Sequence, residues 1–461
     1  MTSEHFSREL CDNIATWRYE QLPDAVVKTV KALIFDTLGV IGGAARAPGI
    51  PELNARLTRW EQSGSATGLI GKHRYSPPAA ALANGAAAHA LDFDDQHDPA
   101  RVHTSCVVLP ALLATAEDLG RVPGRDFLLA MAVGAEVHAR LGLACYNSLG
   151  KGWHPTMIFG TLAASLAAGR LLGLNAEGLA NALGMAFHQM GGSAQSMRDG
   201  VLSKRLGAGF AARNAVTGAF LAADGLTGTR RTLEGNAGLF ALYERGEVKP
   251  EILFDDLGTS WHTPQYSFKP YPCCRCNHTP ISLGIGLHVQ GLRADDVEGI
   301  EIHMGNVNWL TVGEPYDVSR NSVVHAQFNA AYGFARALTD GKVDLATYQE
   351  RSISDPHIVA LTRVTKVLSD PAIDPTAIEP ARVEVRLKSG RTIAAASDTI
   401  KGSPEAPMSE ADLLAKFRAC MVFGLDATTA QADRLAKTVE NLEKTDDAAR
   451  AIVDAFPVNP A

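Results

Sequence analysis

Three histidines in this chain stand where an imidazole could move a proton. His103 lies in LDFDDQHDPARVHTS, just ahead of the apolar run CVVLPALLATAEDL, and His154 lies in KGWHPTMIFG, ahead of TLAASLAAGRLLGL. His278 closes KPYPCCRCNH, a segment that also carries Lys269 and Arg275. Pro155 suits the first turn of a helix, where a missing N–H costs nothing, so the spacing places His154 near a helix cap. Thr104 and Ser105 are residue types that cap the run after His103. The positive end of a helix, with its exposed N–H groups, attracts an anion and favours the neutral, proton-accepting imidazole. The pattern points to acid–base chemistry on a carboxylate.

Other charged groups extend this reading. Lys204 and Arg205, in MRDGVLSKRLGAG, read as a turn that introduces the helix AARNAVTGAFLAADG. Cations at a helix N-terminus oppose the dipole, so either a substrate carboxylate compensates them or solvent screens them. The glycines of LGAG follow no strand, which argues against a phosphate-binding loop. Pro270 and Pro272 stiffen the basic Cys-rich segment as an extended loop. In the acidic run Asp92-Phe-Asp-Asp-Gln-His-Asp98, residues 94–98 spell DDxxD, a magnesium–diphosphate pattern when it lines one helical face. That leaves a magnesium-dependent prenyl-diphosphate enzyme as one alternative. It needs a second acidic motif, whereas Asp255–Asp256 and Asp295–Asp296 are isolated pairs and Pro99 ends the segment. A capped, solvated helix end and a site role for one or two of these acids explain the run equally well. A non-catalytic carboxylate-binding protein is the other alternative.

Composition narrows the field. With 46% hydrophobic and 20% charged residues the chain reads as a folded soluble protein. A net charge of −7 argues against nucleic-acid binding. The N-terminal MTSEHFSRELCDNIATW is polar and helix-like, no apolar stretch is expected to be long enough to span a bilayer, and the expected compartment is the cytoplasm. Of seven cysteines, Cys273, Cys274 and Cys276 are crowded together without a second pair at zinc-finger spacing, so a zinc site is not expected.

At 461 residues two domains are expected. Residues 1–268 show apolar residues at helical spacing, as in 127–143, 156–172, 176–190 and 208–224, and read as an all-helical domain. From 269 to 401 the texture changes. GIEIHMGNVNW and ARVEVRLKSGRTIAAAS alternate as strands, with Ser389–Gly390 as a hairpin turn, and residues 326–338 and the run around 357–367 are helical. This is a smaller α+β domain. Residues 402–461 return to helices that pack on the first domain, so the expected fold is mostly α.

ALDFDDQHDPARVHTSCVVLPALLA, GWHPTMIFGTLAASLAAGRLLGL, DGVLSKRLGAGFAARNAVTGAFLAADGLTG and FKPYPCCRCNH together resemble the MmgE/PrpD family, dehydratases, decarboxylases and epimerases of small carboxylic acids. The resemblance runs along nearly the whole chain. It implies a discontinuous helical domain with a smaller lid domain, a homodimer, no cofactor, and a small di- or tricarboxylate as substrate. It also implies site residues at Asp94, His103, His154, Lys204, Lys269 and His278. His103 and His154 are then the proton-transfer pair, with Lys204 and His278 as further catalytic groups. Asp94 orients a histidine or a hydroxyl, and Lys269, Arg205 and Arg275 hold carboxylates. The sequence departs from the family pattern at Gln96, Thr104, Arg275 and the extra cysteines.

Overall fold

Small residues at helical spacing let neighbouring backbones approach closely, and this sets the architecture. The computed structural model describes residues 5–61 and 63–458, and among them twenty α-helices are joined by turns and short strands. Residues 1–4 of the polar N-terminal stretch, and 459–461, lie outside the described residues. The chain forms two compact units. One comprises Met1–Ala194, Arg205–Tyr266 and Glu410–Ala461; the other comprises Gln195–Lys204 and Ser267–Ser409.

In the first unit, Gly85 and Gly209 bring the Pro77–His89 helix against the helix that begins at Ser203. A Cβ on Gly209 would stand 2.3 Å from the Leu82 carbonyl oxygen. The Glu410–Leu425 helix seats against Asp24–Gly43 in the same way, since a Cβ on Gly424 would stand 2.0 Å from the Gly42 oxygen. The unit is not entirely helical: Ala66–Gly68 pairs antiparallel with His73–Tyr75. Contrary to the expectation from sequence, one apolar stretch, the Gly124–Ala144 helix, is long enough, by length and composition, to span a bilayer. It is nearly all buried within the protein, and it carries the buried Glu136–Arg140 ion pair at 2.8 Å.

The second unit holds a four-stranded sheet ordered Thr365–Ser369, Val297–Met304, Ala381–Leu387, Thr392–Ser397. The last two strands form the expected hairpin, with Gly390 at φ +85°. Two boundaries differ from the sequence reading. The helix around residue 357 ends at Arg363, and the β-branched and apolar residues after it form a strand parallel to Val297–Met304. That neighbouring strand stops at Met304, and Asn306–Val312 is helical where alternation had suggested more strand. Gly284 faces Ala337 where the His278–Val289 and Ala330–Asp340 helices meet; a Cβ there would lie 2.9 Å from that of Ala337.

These contacts predict opposite outcomes at two helical glycines. Gly209→Ala forces a methyl into the Leu82 carbonyl and should lower unfolding stability by about 2 kcal/mol or more. Gly286 has nothing within 4 Å of its Cβ position. Gly286→Ala should raise stability by up to about 1 kcal/mol, read by chemical denaturation.

Candidate active site

The Pro77–His89 helix stops where the acidic run begins. Asp92 takes a left-handed φ of +52° and Arg101 one of +54°, and between them the chain folds back, with the His97 N–H donating to Val102 O at 2.9 Å. The acids therefore occupy a loop, and the helical face required by the magnesium–diphosphate reading is absent. Asp95 is fully buried and accepts from the N–H groups of Thr104 (3.1 Å) and Ser105 (3.2 Å), where the Ser105–Leu119 helix starts. This replaces the cap expected from Thr104 or Ser105, whose side chains do not cap the helix. Burial and the nearby charge of Asp94 push Asp95 up to about 7, against the hydrogen bonds from Ser105 and Thr104.

The same loop orders the imidazoles. His103 Nδ1 is 2.7 Å from the Asp95 carbonyl oxygen. A carbonyl only accepts, so Nδ1 carries the hydrogen and Nε2 is the basic nitrogen of the neutral ring. The His103 backbone N–H donates to Thr156 Oγ1 at 3.0 Å, tying this loop to the helix that His154 precedes. Asp94 Oδ2 lies 2.7 Å from His89 Nδ1 and 3.8 Å from His103 Nδ1. The His89 ring is centred 5.1 Å from that of His103 and 6.1 Å from that of His154. One carboxylate and three imidazoles thus share a small volume.

His154 stands at the N-cap of Pro155–Leu171, as the Pro155 signal predicts. Its loop is anchored on both sides. His154 N–H donates to Gly192 O (3.0 Å) and Ala194 N–H to Gly152 O (2.9 Å). Trp153 packs on Tyr243 and donates to its carbonyl, while Lys151 pairs with the buried Glu244 at 3.0 Å. Behind His103, Thr104 Oγ1 is hydrogen-bonded to His138 Nδ1 at 2.9 Å and to Tyr266 OH. Burial, with the charge of His103 adding to it, holds His138 down to about 3.

The remaining site candidates are distributed as follows. Lys204 and Arg205 lie in the first turn of the Ser203–Ala223 helix, not in the preceding turn; Gly207 and Gly209 are close-packing positions inside that helix. Lys204, in the second unit, is buried with Nζ 5.0 Å from the centre of the Phe328 ring. Its segment is held there by Ser322 Oγ donating to Gly200 O at 2.6 Å. Arg205, in the first unit, donates to the Pro48 carbonyl at 2.9 Å, and burial lowers it to about 10. Lys269, Arg275 and His278 are buried in the second unit. Gln327 braces their loop, accepting from Cys274 N–H and Asn277 Nδ2 and donating to Pro272 O. The loop does not stay extended: it runs through a 3₁₀ turn into a helix that begins at His278. Arg275 donates to Lys401 O at 2.9 Å and to His278 Nδ1 at 3.3 Å, which leaves His278 Nε2–H facing Cys273 O at 3.3 Å.

Sequence reasoning missed His89. Its signal is faint, a single imidazole ending the alanine-rich run PPAAALANGAAAH five residues before Asp94. His89, Asp94 and Cys106 place one ligand atom each within 4.8 Å of one another, a set able to hold a metal ion. The 2.7 Å His89–Asp94 distance is that of a shared proton, which an ion would have to displace.

The chain belongs to the MmgE/PrpD family: residues 8–251 match the MmgE/PrpD N-terminal domain and residues 271–443 the C-terminal domain. Among individual relatives, the cis-aconitate decarboxylase of Homo sapiens is 32% identical over 92% of this chain and 89% of that protein. A cis-aconitate decarboxylase-like protein of Aspergillus oryzae is 28% identical over 95% of both chains. The cis-aconitate decarboxylase of Aspergillus terreus is 29% identical over 89% of this chain and 88% of its own.

Protonation of the buried histidine has a measurable consequence. His138 sits at about 3 in the folded chain against an ordinary 6.5, so between those values the unfolded state binds more protons. Its contribution is present above pH 6.5 and is lost as pH falls towards 3; Asp95, raised from 3.8 to about 7, acts in the opposite sense. His138→Gln should reduce the slope of unfolding free energy against pH, between about pH 4 and 6, by about 1.4 kcal/mol per pH unit.

Proposed function

We propose that this chain is a cofactor-independent lyase that decarboxylates a small, unsaturated tricarboxylate, as the names of its relatives imply for them. The observation that carries the reading is Asp94 seated between His89 and His103, with His154 at a helix cap beside them. Cleaving the C–C bond to a carboxylate releases CO₂ and leaves the electron pair on the conjugated carbon skeleton. A proton must then be delivered to carbon. His103 fits that task, since its Nδ1–H is fixed on the Asp95 carbonyl and Nε2 remains to carry the mobile proton. His154 is the second group of the pair, and Asp94 fixes the His89 ring and lies beside that of His103. In this reading the cations Lys204, Lys269 and Arg275 neutralise the substrate's carboxylates, which a trianion requires before it leaves water, and His278 is a further catalytic group beside Arg275. Dehydration and epimerisation draw on the same proton chemistry and differ in the bond that breaks.

Incubation with cis-aconitate and related acids in D₂O separates these reactions. The expected result is one CO₂ released for each solvent deuterium fixed at carbon. Loss of water, or deuterium uptake without loss of mass, would replace decarboxylation by dehydration or epimerisation. His103→Gln should lower turnover by about 10²–10⁴-fold while substrate binding stays within a few-fold. Binding without turnover in the unaltered protein would identify a carboxylate-binding protein instead. Activity should survive EDTA; loss that a divalent cation restores would overturn the cofactor-independent reading.

A further inference from the structure

We propose that Lys416, on the returning Glu410–Leu425 helix, is a positioning residue for Asp94; its catalytic consequence rests on the lyase reading above. Lys416 Nζ lies 2.7 and 3.0 Å from the two carboxylate oxygens of Asp36 and 2.7 Å from the carbonyl oxygen of Phe93. It also stands 4.1 Å from the centre of the Phe93 ring. All three residues are buried and belong to the first unit. Phe93 is the residue before Asp94, so its carbonyl belongs to the peptide group from which Asp94 departs. Holding that plane sets the direction in which the Asp94 side chain leaves the backbone.

Two observations argue against a role confined to fastening the helix. The helix is already seated by close packing: Phe35 and Phe417 stack at 4.2 Å, a Cβ on Gly39 would lie 2.8 Å from the Phe417 ring, and Gly42 and Gly43 abut Met421 and Cys420. A buried ion pair, moreover, is a poor fastener, because its desolvation offsets most of its attraction. The turn at Asp92 does need external support, since a non-glycine residue there holds φ at +52°. The ammonium group's third hydrogen bond goes to that turn, directing the pair towards the acidic loop.

The test uses Asp36→Leu/Lys416→Met, which removes both charges at similar volume, alongside Lys416→Met in the full-length protein. The first readout does not depend on activity: the low-field proton NMR resonance of His89 Nδ1–H, shared with Asp94, in histidine-labelled protein. We expect that resonance to be lost or shifted upfield in a double variant that melts within a few degrees of the parent. Turnover should fall by about 10- to 100-fold with KM within about threefold, and the acid limb of the pH–rate profile should move. A folded double variant with the parental resonance, turnover and pH profile overturns the proposal. So does a double variant that fails to fold, since the pair would then be the fastener. If the unaltered protein turns over no carboxylic acid, the lyase reading fails and the resonance alone decides the positioning role.

Discussion

The burial of one carboxylate, Asp95, against the first N–H groups of a helix is the constraint on which this site depends. Thr104 and Ser105 hold its two oxygens, and its own carbonyl holds His103. A single residue thus ends a loop, starts a helix and selects the tautomer of a candidate base. Its neighbour Asp94 is thereby directed to His89 and His103. Burial and the charge of Asp94 together hold Asp95 up near 7.

The scaffold serves this arrangement through close packing of small residues. Gly85 and Gly209 bring the helix that ends in His89 against the helix that begins beside Lys204, and Thr156 links the His103 loop to the His154 helix. Such contacts tolerate no added methyl group, which keeps the loops in one register without many polar ties. The polar ties that exist are concentrated at the loops: Lys151–Glu244 beside His154, Lys416–Asp36 behind Phe93, Gln327 behind the Cys-rich loop. These three ties each hold irregular backbone, where helix geometry cannot.

Much of this was legible in the sequence because it is local. Pro155 after His154 encodes a helix start, Gly390 encodes a hairpin, and alanine-rich periodicity encodes the helices. Illegible features were those fixed by partners far along the chain. Asp95 caps a helix nine residues away, which no capping-box spacing reveals, and the literal DDxxD pattern misleads because Asp92 and Arg101 adopt left-handed backbone. His89 was hidden because an imidazole in an apolar helix is usually packed for its shape. Lys416 answers Asp36 across 380 residues. The strand 365–369 was missed because its neighbour in the sheet is Val297–Met304, far from it in the chain.

The central claim is that Asp94 positions imidazoles for proton transfer to a carboxylic acid. It is tested most directly by comparing kcat/KM for Asp94→Asn with the parent enzyme across the pH range, with substrate binding measured in parallel. The account predicts a loss of about 10²–10⁴-fold that no pH restores, with the dissociation constant nearly unchanged. An Asp94→Asn protein that turns over at the parental rate would contradict it.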